Sequence, residues 1–204
     1  MIELTIPIPE AQQAVRLPAG VMNWTEDEFF QFCQANRELR IERSAQGEII
    51  VMSPAGGYSG YQSGVAFRQL ALWAERDGTG VAFDSSTGFL LPNGAMRAPD
   101  AAWVELSRLK RLSHREKEQF IPLCPDFVIE AASPTDQVAH LRAKMEEYQA
   151  CGSRLGWLIL PASNEVEIYT GTEVQVLSAP QTVTADPILP AFTLQLGPIW
   201  NPPF

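Results

Sequence analysis

Two carboxylates and one lysine are placed where chemistry could be done. Asp100 follows Pro99 at the start of the apolar run Ala101-Ala102-Trp103-Val104, and Glu130 lies inside Phe127-Val128-Ile129-Glu130-Ala131-Ala132. A carboxylate in such a setting is costly unless it is paired, protonated or bound to a cation. Strand alternation puts Val128, Glu130 and Ala132 on one face and Phe127, Ile129 and Ala131 on the other. If Asp100 ends a neighbouring strand, both carboxylates converge on one hard divalent ion. Mg²⁺ typically takes one or two carboxylates plus water and phosphate oxygens, and that layout serves phosphodiester hydrolysis. Lys144 is the third candidate: three residues from Leu141 and four from Tyr148 on a predicted helix, it borders the apolar stripe and can turn its ammonium toward the same cleft. Plainer readings stand beside these. Asp100 is equally read as a loop acid or cap, Glu130 as half of a structural ion pair with Lys144 or an arginine, and Lys144 as a surface lysine with a buried stem.

The elements that must hold these residues follow from periodicity. Phe127 to Ala132 reads as a strand buried on both faces. Ser133-Pro134-Thr135-Asp136 reads as a helix start, with Ser133 at the cap and Pro134 at the first position. That helix should run to about Ala150 and stop at Gly152, with Val138, Leu141, Met145 and Tyr148 as its apolar stripe. Leu155 to Leu160 is a second continuous apolar strand, so the segment predicts a parallel βαβ crossover. Upstream, Thr25 caps a helix with Glu26, Asp27 and Glu28 in its first turn and Phe29, Phe32 and Cys33 on its apolar face. Leu39 to Arg43 and Glu48 to Met52 form a hairpin around Gln46-Gly47. A helix is expected from about Gly60 to Arg76 on Val65, Leu70, Leu72 and Trp73, ended by Asp77-Gly78. Val81 to Phe83, Gly88 to Leu91 and Ala101 to Val104 read as strands, with Asn93-Gly94 turning between two of them. Val166 to Tyr169 and Val174 to Leu177 read as a closing hairpin, and the proline-rich ends look like extended arms.

Composition narrows the field. The chain has 204 residues, 46% of them hydrophobic and 19% charged, with 24 acids against 15 bases. A chain of this length can bury roughly 70% of its unfolded surface without disulfides or a structural metal. Length favours one domain, with residues 1–23 as an extended N-terminal arm, 24–200 as the domain and 201–204 as a tail. The longest apolar stretch, Leu155 to Ala162, falls far short of the roughly 20 residues that span a bilayer. The acid at Glu3 and the absence of a continuous apolar core near the N-terminus do not fit a signal peptide, so a cytoplasmic location is expected. Cys33, Cys124 and Cys151 are too far apart for a zinc CxxC pair and read as reduced thiols. With only His114 and His140, a histidine-rich metal site and a Ser-His-Asp triad are both hard to build. Gly57-Tyr58-Ser59-Gly60-Tyr61 is not a nucleophile elbow, and Phe83 breaks the dinucleotide fingerprint begun at Gly78-Thr79-Gly80. Catalysis, if present, rests on carboxylates and lysine.

Several strings together resemble a known family. They are Met52-Ser53-Pro54-Ala55-Gly56-Gly57; Phe83-Asp84-Ser85-Ser86-Thr87-Gly88-Phe89 with Leu91-Pro92-Asn93-Gly94; and Arg97-Ala98-Pro99-Asp100-Ala101-Ala102-Trp103-Val104. Cys124-Pro125-Asp126-Phe127-Val128-Ile129-Glu130, Ser133-Pro134-Thr135-Asp136, Lys144-Met145-Glu146-Glu147-Tyr148 and Gly156-Trp157-Leu158-Ile159 complete the pattern. Over about Trp24 to Trp200 the chain resembles a large bacterial family abundant in cyanobacteria. That family was formerly a domain of unknown function and is now assigned as restriction endonucleases of the PD-(D/E)xK nuclease superfamily. The resemblance implies an α/β fold of restriction endonuclease-like type, a mixed central sheet flanked by helices. It implies Asp100 and Glu130 as Mg²⁺ ligands, with Mn²⁺ able to substitute, and Lys144 beside the attacking water or the scissile phosphate. Position 132, where the superfamily motif has lysine, is alanine here, and a lysine on the following helix takes that role in this family. Many relatives carry a glutamate after the Gly-Gly pair, where this chain has Tyr58.

The implied activity is cleavage of DNA phosphodiester bonds, with a homodimer expected because two strands must be cut. The alternative is a catalytically inactive nuclease fold retained as a DNA- or protein-binding module, to which Tyr58 and Ala132 point. A small acidic interaction protein with a buried Glu130–Lys144 pair is the third class. A net charge of −9 opposes nonspecific DNA binding. Arg108, Lys110, Arg111, Arg115 and Lys117 nevertheless place five of the fifteen bases within ten residues. That run is either a solvated segment or an edge that tracks phosphates, and from Leu155 onward there are four acids and no base.

Overall fold

The structure, a computed structural model, describes residues 14–18, 20 and 24–204. Most of the expected N-terminal arm lies outside the described residues. In chain order the elements are β1 (Ala14–Leu17), α1 (Glu26–Ala35), β2 (Arg40–Arg43), β3 (Ile49–Met52), α2 (Gly57–Asp77), β4 (Gly80–Asp84), β5 (Phe89–Leu90), β6 (Met96–Arg97) and β7 (Ala101–Glu105). Then follow α3 (Leu106–Leu109), α4 (His114–Glu118), β8 (Phe127–Ala131), α5 (Val138–Ala150), β9 (Leu155–Leu160), β10 (Glu165–Thr170), β11 (Glu173–Ser178), β12 (Thr182–Thr184), β13 (Thr193–Gln195) and α6 (Gly197–Trp200).

A mixed sheet in the order β11-β10-β9-β8-β7-β4 forms the centre. Among the described residues its one parallel pairing is β8 with β9, because helix α5 carries the chain back to the end of the sheet where β8 began, as a crossover requires. Alternation along β8 divides the core. Phe127 and Ile129 pack toward α2 and the C-terminal segment, while Val128 and Ala132 pack toward Met145 and Tyr148 of α5. A second, antiparallel sheet runs β1-β3-β2-β6-β5. It contains the expected hairpin of β2 and β3, paired Arg40 to Met52 and Arg43 to Ile49.

Local signals explain the element ends. Thr25 and Glu28 form a capping box at the start of α1. Gly78 closes α2 in the left-handed conformation that glycine adopts without steric penalty. Three expectations need correction. The helix after β8 starts at Val138, with Gln137 rather than Ser133 at the cap. The carboxylate of Asp136 accepts the Ser133 N–H at 2.8 Å, and the Asp136 N–H reaches the Ser133 carbonyl at 3.1 Å. Residues 133–136 therefore close a turn that satisfies its own polar groups. The C-terminal region is no extended arm: β12, β13 and α6 bury Val183, Phe192, Leu194 and Ile199 against the central sheet. Leu72, read as core, is exposed. A strand absent from the sequence reading, β6, follows the Asn93-Gly94 turn and pairs with β5 and β2, which joins the second sheet to the start of β7. Among the described residues, no helix is long and apolar enough to cross a membrane.

Candidate active site

The antiparallel register of β7 and β8 pairs Ala101 with Ile129 and Ala102 with Val128. One step further, that register sets Asp100 directly opposite Glu130, on the face that Ala102 and Val128 share. Opposed side chains in such a ladder stand about 5 Å apart, and like charges there repel. The Asp100 carboxylate is fixed by the Ala131 N–H, donated to Oδ2 at 3.0 Å, and the Arg40 guanidinium lies 3.6 Å from Oδ1. Glu130 Oε1 accepts the Tyr148 hydroxyl at 3.0 Å and faces the Lys144 ammonium at 2.7 Å. Lys144 and Tyr148 lie one turn apart on α5, so the helix presents both to the strand beneath it. The three side chains singled out in the sequence thus come together.

A fourth side chain, the third acidic one, joins them from the second sheet. Glu42 of β2 is only 3% exposed. It accepts Lys144 Nζ at 2.8 Å, the Ala98 N–H at 3.0 Å and Arg97 Nη1 at 3.1 Å. Arg97 in turn donates its Nε to Glu147 at 2.5 Å, and Asn93 holds the other Glu147 oxygen at 2.9 Å. Sequence reasoning missed Glu42. Ile41 and Glu42 are adjacent and both buried, which breaks the alternation that would mark a buried acid on a strand.

Electrostatics separates the carboxylates. Burial raises Asp100 above its ordinary range, against the opposing pull of the Ala131 N–H, Arg40 and Lys144. Burial also lifts Glu130 to about 7; Lys144 pulls down, but the charges of Asp100 and Glu42 add to the rise. Glu42 is buried as well, yet Lys144, Arg97 and the Ala98 N–H hold it down at about 2. Burial alone would lower Lys144, but Glu130 and Glu42 outweigh it and keep the amine above its usual range. A carboxylate poised near neutrality by burial and like charge marks a site with an excess of negative field.

Mg²⁺ is the ion whose ligand habits this donor set must meet. Among the described residues, no three His, Cys, Asp or Glu side chains are grouped to enclose a metal ion. The ion's known habit, however, is one or two carboxylates with water and phosphate completing an octahedron. Two opposed, desolvated carboxylates with raised pKa values gain from a hard cation between them, so Asp100 and Glu130 fit the group.

The basic run is not gathered around these carboxylates by any contact among the described residues. It leaves β7 at Glu105, the end remote from Asp100 by roughly 17 Å of strand. Arg108 is held by buried Asp126 at 2.8 Å and Arg115 by Asp27 at 2.7 Å, while Lys110, Arg111 and Lys117 are exposed. Tyr58 stands in the first turn of α2 and stacks on Phe204, with ring centroids 5.2 Å apart. Ala132, at the motif's lysine position, is buried in the core, and its N–H bonds the Ile159 carbonyl at 2.9 Å.

The family model Uma2, described as "Putative restriction endonuclease", matches residues 26–197. The chain belongs to this family. Among solved structures, it is similar to one titled as a putative nuclease belonging to DUF820 from Anabaena variabilis. The two share 19% identity and a TM-score of 0.70 over 87% of this chain and 97% of the other. That likeness establishes a common fold: the mixed central sheet flanked by helices is that of the Anabaena protein. Among curated proteins, none matches the chain. In this Uma2 chain, the β7–β8 register and helix α5 are the parts that assemble Asp100, Glu130 and Lys144.

Proposed function

We propose that this Uma2 protein is a Mg²⁺-dependent endonuclease that hydrolyses DNA phosphodiester bonds, with Asp100 and Glu130 as the metal ligands. The observation that carries this reading is the strand register that opposes two buried carboxylates with a lysine ammonium against one of them. Bound there, Mg²⁺ or Mn²⁺ would supply a Lewis acid that activates water and offsets charge on the phosphate oxygens. Asp100 would be oriented by the Ala131 N–H, and Glu130 by the Tyr148 hydroxyl. Lys144, only 13% exposed, would place a second positive charge beside the scissile phosphate. Glu42, itself paired with Arg97, would act through Lys144 by holding the ammonium at the cleft and so leaving Glu130 available as a ligand. Cutting both strands of a duplex is most easily done by a two-fold homodimer, which would set one such site on each strand.

The test is calorimetric titration of Mn²⁺ and Mg²⁺ into the wild type and Glu130→Ala, each checked by circular dichroism, followed by plasmid cleavage. Binding that disappears in a folded variant, with cleavage lost alongside, is the expected result. A second reading, a non-cleaving DNA- or protein-binding module, is favoured by Tyr58 on Phe204 and by a Lys144 that already spans two carboxylates. A folded wild type that binds neither ion, even with duplex DNA present, would select it.

A further inference from the structure

The cations of the site are not equivalent. Lys144 spans Glu42 and Glu130, and Arg97 spans Glu42 and Glu147, so both are committed to carboxylates. Arg40 is not. Among the described residues its contacts are a weak 3.5 Å approach of Nη2 to the Ala98 carbonyl and the 3.6 Å approach of the same nitrogen to Asp100, beyond hydrogen-bond length. Its Nε is buried with no hydrogen-bond partner. The side chain as a whole is 36% exposed, and Nη1 makes no hydrogen bond or ion pair among the described residues, so the terminal Nη nitrogens beside Asp100, rather than the buried Nε, are the donors a ligand can reach. The group that best satisfies a guanidinium edge is a planar or tetrahedral oxyanion taking two parallel N–H bonds.

We infer that Arg40 is a phosphate-binding residue, receiving a non-bridging oxygen pair of a backbone phosphodiester next to the Asp100–Glu130 pair. The inference rests on the nuclease reading and names the residue that brings substrate to it. It also meets a physical need. A chain of net charge −9 needs local positive charge to accept DNA, and Arg108 and Arg115 of the basic run are taken up by acids.

The experiment compares wild type, Arg40→Gln and Arg40→Lys for binding of a fluorescent DNA duplex in Ca²⁺ over a range of salt, with calcium affinity measured in parallel. Loss of one phosphate contact should weaken binding by roughly 10- to 100-fold, equally for unrelated sequences. It should also lower the salt slope by about one. Arg40→Lys, which keeps the charge and loses the fork, should fall between. Equal affinity and slope in wild type and Arg40→Gln overturns the inference while leaving the nuclease reading intact. So does a weakening explained wholly by lost calcium affinity, which would make Arg40 only a partner of Asp100. If the wild type neither binds nor cleaves duplex DNA, the nuclease reading fails instead. Titration with inorganic phosphate, followed by the Arg40 Nε–H resonance, then decides the anion site: a saturating shift upholds it and none overturns it.

Discussion

Glu42 and Glu130 share one lysine yet lie on opposite sides of the ordinary glutamate range, and their different neighbours explain why. Glu42 has Arg97 and a backbone N–H in addition to Lys144, whereas Glu130 faces two like charges. Glu42, held at about 2 against an ordinary 4.5, contributes stability that is fully present above pH 4.5. That stability is lost as pH falls through the folded value, on the order of 3 kcal/mol in all. Glu42→Gln should therefore flatten the acid limb of a denaturation profile between about pH 4.5 and 2; an unchanged limb would contradict the assignment. Glu130, raised to about 7, has the opposite sign: its ionised form is disfavoured by folding, so it costs stability as pH rises from 4.5 through 7. Glu130→Gln should thus match or exceed wild-type stability at pH 8 while losing metal binding, because Lys144 retains Glu42. A loss of roughly 3 to 5 kcal/mol would instead mark a structural ion pair. That Asp100, Glu130 and Lys144 come together was legible in the sequence because an acid at the start of one apolar strand, an acid inside another and a lysine beside an apolar stripe stand out. Glu42 was not, since its partner is 102 residues away and nothing local records that a second sheet folds onto the first.

Strand β8, helix α5 and strand β9 form the unit that turns those residues into a site, and its periodicity was readable because each element is long and apolar on a fixed face. The late start of α5 was not readable: Ser133-Pro134-Thr135-Asp136 satisfies the composition of a helix cap, but Asp136 reaches back to Ser133 and closes a turn first. The two-residue strands β5 and β6 are too short for alternation to show, and the C-terminal segment owes its place to long-range burial rather than to local propensity. Close approach of α5 to the sheet depends on Gly156 of β9. A Cβ there would lie 2.5 Å from the Met145 methyl and 3.3 Å from Val128 Cγ2. The Met145 end can yield to a single methyl, so Gly156→Ala should cost about 1 kcal/mol. Gly156→Val should cost roughly 2 to 3 kcal/mol by overpacking. Because Met145 adjoins Lys144 on α5, the valine variant should also lower cleavage beyond what its unfolded fraction explains, with thermal denaturation and specific activity measured on one preparation. Full activity in a folded Gly156→Val protein would show that α5 is not held in place by this contact.

Charge is distributed over the whole molecule in a way that the linear run of bases concealed. Arg108, Lys110, Arg111, Arg115 and Lys117 look equivalent in sequence, yet among the described residues Arg108 and Arg115 are ion-paired and the other three have no ion pair. Asp126 is 3% exposed and accepts the Glu105 N–H at 2.9 Å as well as Arg108 at 2.8 Å. The pair thus ties the end of β7 to the segment entering β8. Removing Arg108 strands a buried carboxylate, so Arg108→Gln should lower stability by about 1 to 3 kcal/mol. Lys110, Arg111 and Lys117 are exposed, and replacing all three with glutamine should change stability by no more than about 0.5 kcal/mol per site. If this surface tracks phosphates, the triple variant should bind duplex DNA with a salt slope lowered by up to about three, roughly one per lost contact. An unchanged slope would remove the run from the DNA path and leave Arg40, beside Asp100, as the cation to which binding must answer. Measured side by side, denaturation of Arg108→Gln and salt-dependent binding of the triple variant separate a fold-holding arginine from a substrate-facing surface within the same short stretch of chain.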